Sequence, residues 1–266
     1  MNSDKIKSLI SLLDDEDSAI AMKAMSELLS EGKKIEPFIA NMQESSNKLV
    51  RRRVHQIQAI LKARNYRKIL GRRFTNRHSG LWKGLIEIHL LWFDNDGEKN
   101  INGLFNSILE KFKKIKDFDS LNIALFMKSM GFVTPIPGDI DSDFCSLGQV
   151  LETKIGYDFM LCSIVHKLGS CLGKEFNFII KNNKILILCD DGHVIDPETW
   201  KTESYNKEIH KQCSTGELLK LATFQLFLGA VASDSYRYIY TIGSCISKTE
   251  KSEFMDNIRD IKRKKK

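Results

Sequence analysis

The chain has 266 residues, of which 42% are apolar, with a mean hydropathy of −0.26 and a formal net charge of +7. That composition supplies a packed core and excludes wholesale disorder, and no run approaches the roughly 18 apolar residues of a membrane-spanning helix. The opening "MNSDKIKSLISLLDDEDS" has acidic residues inside its apolar segment and so does not read as a secretory signal peptide.

The six cysteines (Cys145, Cys162, Cys171, Cys189, Cys213, Cys245) stand in apolar surroundings without CxxC spacing. This argues against a zinc site and against an extracellular disulfide framework. The expectation is a cytoplasmic protein with reduced thiols, no metal and no cofactor. The positive charge is local. Twelve of the 41 Lys/Arg fall within residues 45–86, a span without a single Asp or Glu, and the remaining 29 are outnumbered by 34 acidic residues. A short basic tail, "KRKKK", carries most of the rest of the local excess.

In chain order, Ile6, Leu9, Ile10 and Leu13 follow the helical period and predict a first helix. "DDEDS" breaks it, and Asp17 or Ser18 can cap a second helix whose inward face would hold Ile20, Ala24, Met25 and Leu28. Gly32 suits that helix's C-terminal cap, and Pro37 suits the start of a third. Together these resemble one HEAT-like repeat. A single copy does not make a solenoid.

Residues 49–70 predict an amphipathic helix with Val50, Val54, Ile57 and Leu61 on one face. Its other face holds Arg51, Arg52, Arg53, Arg64, Arg67 and Lys68, either a solvated surface or a docking surface for an anionic partner, protein or nucleic acid. No interleaved aromatics or base-reading motif accompany it, which counts against nucleic acid.

"LWKGLIEIHLLWF" is apolar on nearly all sides and predicts a buried central helix. "INGLFNSILEKFKKI" predicts an amphipathic one with Leu104, Ile108, Leu109, Phe112 and Ile115 inward, and "DSLNIALFMKSMGF" another. The strongest loop signal is "VTPIPGDIDSDF", followed by a short helix in "CSLGQVLETKIG" and a long one bearing Cys162. "FNFIIK" and "KILILCD", joined by Asn-Asn, read as a hairpin, and "DDG" as a second turn into "HVIDP". The chain then returns to helix. The expectation is an α+β, mostly helical protein with a small antiparallel sheet, divided at 1–75, 76–200 and 201–266.

A helix bearing cysteine, followed by strands bearing histidine and aspartate, is the order of parts in papain-like and transglutaminase-like enzymes. More narrowly, "LNIALFMKSMGF", "CSLGQVLETKIG", the following apolar helix and "VIDPETW" resemble the transglutaminase-like family of bacterial SirB-type proteins over residues 82–200. The resemblance implies a papain-like core with helical flanks. It also places a nucleophile near Asp158, Phe159 or Met160, a histidine at Lys184 and the orienting aspartate at Asp196. Only the aspartate is present.

The resemblance therefore implies a non-catalytic domain with a binding or regulatory role. The alternative is a thiol hydrolase or transferase using Cys162 as nucleophile, His193 as base and Asp196 as orienter. The strand period opposes it, because positions 193 and 196 face opposite sides of a regular strand.

Overall fold

The structure, a computed structural model, describes residues 3–75, 80–93, 95–236 and 238–246. The basic tail lies outside them, as do the side chains of residues 71–79. The chain forms two compact units, residues 1–66 and 67–266. The sequence expectation placed boundaries at 75 and 200, and the division into compact units falls after residue 66.

The first unit holds α1 (Ser3–Ser11), α2 (Ser18–Ser30), a one-turn α3 (Glu36–Ile39) between two 3-10 turns, and the first part of α4 (Lys48–Thr75). Asp17 caps α2, its carboxylate accepting from the Ala19 amide. Gly32 follows α2 at φ +63°, a left-handed position that costs a glycine little. Pro37 stands in the first turn of α3. The core is a contact of periodic faces: Ile6, Leu9 and Ile10 of α1 with Leu28 of α2 and with Val50, Val54, Ile57 and Leu61 of α4. One expected inward residue, Ile20, is 42% exposed, and Ala21 takes its place in the interior.

The second unit is built on α5 (Leu81–Trp92), α6 (Glu98–Phe112), α7 (Ser120–Ser129), α8 (Leu147–Thr153), α9 (Asp158–Ser170) and α10 (Thr215–Ala232). α7 and α9 pack against a five-stranded antiparallel sheet in the order β4-β3-β2-β1-β5. The strands are β1 (Asn177–Lys181), β2 (Lys184–Leu188), β3 (His193–Asp196), β4 (Lys201–Ser204) and β5 (Lys211–Cys213). The α+β expectation holds at this level. α5 is buried on every side from Gly84 to Leu91, as its composition requires, and packs against α10. Gly84 permits the approach, since a Cβ there would stand 2.6 Å from Leu219.

The β1–β2 hairpin closes on Asn182 and Asn183, both at positive φ, which is the backbone of a tight hairpin turn whose twist matches its strands. The two outermost strands, β4 and β5, were not foreseen from the sequence. α9 lies across β2, and the His166 ring stacks on Phe178 of β1 at 4.8 Å. Among the described residues, no helix is long and apolar enough to cross a membrane.

Candidate functional site

The N-terminus of α9 and the start of β2 are joined by one side chain. Asp158, at the first helical position, accepts from its neighbour Phe159's amide at 2.7 Å and from the Ile185 amide of β2, also at 2.7 Å. Asp196 ends β3, on the strand face shared with Lys184, given the pairing of Ile187 with Ile195. Its carboxylate accepts from the Glu198 amide at 2.9 Å and the Thr199 hydroxyl at 3.2 Å, holding the turn that follows. Lys184, the first residue of β2, is ion-paired with Glu198. These side chains converge on a cleft of about 270 Å³, with Asp139 and the Pro135–Pro137 stretch on its opposite wall.

The opposite wall is tied down. The Trp200 indole donates to the Phe132 carbonyl at 2.6 Å. Val133 bridges Ile155, and the Tyr157 hydroxyl donates to the Asp139 carbonyl at 3.0 Å. Trp200 itself adopts φ +53°, an uncommon backbone for a bulky residue, kept by its buried side chain and that indole bond. The cleft is therefore preformed by local bonds at both ends of the loop.

Electrostatically the cleft is negative. Burial pushes the Asp158 carboxyl above its ordinary range, against the opposing pull of the Ile185 and Phe159 amides, and Asp196 adds like-charge repulsion. The bond to Glu198 holds the Lys184 ammonium more firmly charged than a free lysine, and Asp196 and Asp158 add to this. A second hollow, of about 430 Å³, shares Lys184 and Asp196 and is lined also by Lys181, Lys201 and Glu203.

The structure thus brings together the positions the resemblance singles out: Asp158, Lys184 and Asp196. It does not bring together the alternative trio. Cys162 is one turn further along α9, 1% exposed, with its thiol directed at the Ile185 carbonyl at 3.4 Å. Burial drives that thiol well above the ordinary cysteine value. His193 belongs to the other end of the strand pair. The Cys189 amide donates to the His193 carbonyl, so His193 stands opposite Cys189, four residues or roughly 13 Å along the sheet from Ile185. Its ring is half-exposed and lies 3.6 Å from Asp191.

The basic helix is also different from the sequence expectation. Arg53 is 6% exposed and donates to the Leu13 and Asp15 carbonyls at 2.8 and 2.7 Å, closing the end of α1. Arg64 donates to the Leu29 carbonyl at the end of α2, Arg51 to the Ser45 carbonyl and Arg67 to the Ser244 hydroxyl. Carbonyls at helix ends lack intrahelical donors, and a guanidinium supplies them with the favourable sign for the helix dipole. Of the six residues expected on a docking face, Arg53 is interior, Arg51 and Arg67 are half-buried, and Arg52, Arg64 and Lys68 are exposed.

No family model, curated protein or solved structure matches this chain.

Reading the sequence missed Asp139 and Glu198 as site residues. "PIPGDID" and "DPET" carried a turn signal but nothing to say that the two turns face one another across a cleft.

Proposed function

We propose that this chain is a non-catalytic, transglutaminase-like protein that binds a partner through the cleft at the N-terminus of α9. The observation that carries the reading is the identity of the side chains in that cleft. Asp158 and Lys184 occupy the places where the resemblance calls for a nucleophile and a general base, and both are committed to structural bonds. A carboxylate accepting two amides is a poor nucleophile, and an ammonium held charged cannot take a proton. The neighbouring thiol, Cys162, is neutral and buried, and the register of the sheet separates it from His193.

The test is an activity assay with an internal control. Wild-type protein and Cys162→Ala are compared on an activated ester, and on a glutamine peptide with an amine donor. The reading expects both to match the uncatalysed rate. Turnover by the wild type that disappears in Cys162→Ala would establish the thiol enzyme instead.

A further inference from the structure

Resting on the reading of the cleft as a binding site, we infer that its ligand is a lysine or arginine side chain presented by an apolar segment of a partner protein. Four carboxylates, of Asp139, Asp158, Asp196 and Glu198, line the cleft against one cation, Lys184. That cation is already paired with Glu198. Asp158 and Asp196 accept only from neutral amides and a hydroxyl, so each carboxylate keeps lone pairs for a further donor. An ammonium offers three donors and a guanidinium five, and either would offset the charge that burial makes costly.

The second observation is apolar. Val133, Ile136 and Ile140, on the loop that forms the cleft's outer wall, are 49%, 75% and 51% exposed. Ile136 lines the cleft, Val133 and Ile140 flank it in the chain, and three large aliphatic side chains left in water along one short loop suit a protein surface. Pro135 and Pro137 give the wall a fixed backbone against which the aliphatic stem of a lysine or arginine can lie. A free polyamine would use the carboxylates and leave the apolar loop residues untouched. A protein partner uses both. The volume, about 270 Å³, takes one long side chain and little more.

The full chain is tested by fluorescence anisotropy against labelled, end-capped peptide pools, each with one fixed central residue between randomised neighbours. The pools carry lysine, arginine, norleucine or glutamate at the centre. The lysine or arginine pool is expected to bind at least tenfold more tightly than the norleucine pool, and the glutamate pool not at all. Asp139→Asn and Ile136→Ser, both at exposed positions, are each expected to weaken binding several-fold. They keep the test decisive should Asp158→Asn fail to fold.

Equal binding of the lysine and norleucine pools overturns the inference. So does no binding of the basic pools up to about 1 mM, an affinity too weak to matter in a cell. Spermidine binding that is indifferent to Ile136→Ser would assign the cleft to small polyamines and overturn the protein partner. Mass spectrometry of the recovered peptides separates this inference from the reading beneath it. Peptides recovered unchanged leave the non-catalytic reading in place whatever their affinity, while cleaved or modified peptides overturn that reading even if basic side chains are selected.

Discussion

His89 lies 1% exposed in the last turn of α5 with both ring nitrogens committed. The Gly148 amide points at Nδ1 from 3.3 Å, so Nδ1 must accept and the proton must sit on Nε2, which donates to Asp96 at 2.9 Å. Burial holds the ring below its ordinary pKa despite the upward pull of Asp96. The unfolded chain, with histidine at 6.5, therefore binds a proton that the folded chain resists. This contribution to stability is present at neutral pH and is lost as pH falls below the unfolded value. Urea midpoints should drop between about pH 7.5 and 5.5, and the slope should flatten in His89→Gln. A parallel slope in the variant would remove His89 from the account.

Gly148 adds a packing check. A Cβ there would stand 2.6 Å from the imidazole, so Gly148→Ala should cost about 1–3 kcal/mol, measured by the same unfolding curves. At this scale the sequence was partly legible. Asp158, Lys184 and Asp196 could be aligned with a pattern, and the structure places all three in one cleft. His89 carried no signal, because a lone histidine in an apolar helix does not reveal a partner seven residues away.

Among the elements, α4 separates what periodicity can and cannot tell. Val50, Val54, Ile57 and Leu61 face the core as their spacing requires. The arginines between them were read as one face, yet Arg53 shares the buried side and satisfies two carbonyls of the α1 end. Side-chain reach, which spacing does not record, decides this. Arg53→Ala should therefore cost about 3 kcal/mol, leaving two carbonyls short of a donor. Arg52→Ala should stay within about 0.5 kcal/mol. Chemical denaturation of the two variants, side by side, checks the contrast; equal costs would contradict it.

The same distinction runs through the sheet. The β1–β2 hairpin was legible because two asparagines at positive φ are what its turn needs and apolar β-branched residues fill its strands. β4 and β5 were not, since "KTES" and "KQC" are polar edge segments whose strand character comes from pairing with β3 and β1. Tertiary pairing, not local propensity, makes them strands.

The net charge of +7 hides local charge of both signs: exposed cations on α4 and, elsewhere in the chain, a carboxylate-rich cleft. Hydrophobic periodicity and turn signals gave the class, mostly helical with a small sheet, and chain order gave the resemblance to a transglutaminase-like core. Neither could show where the cleft lies, because its walls come from residues 134–139, 157–158, 184, 196 and 198, brought together only by folding.

The central claim is that this assembly holds a binding cleft with no working nucleophile. It is tested most directly by native-state alkylation with iodoacetamide at neutral pH, followed by peptide mapping over time. Cys171, the one exposed thiol among the described residues, should be modified first. Cys162 should stay unmodified until the protein is unfolded. Rapid modification of Cys162 in the folded protein, ahead of Cys171, would contradict the claim.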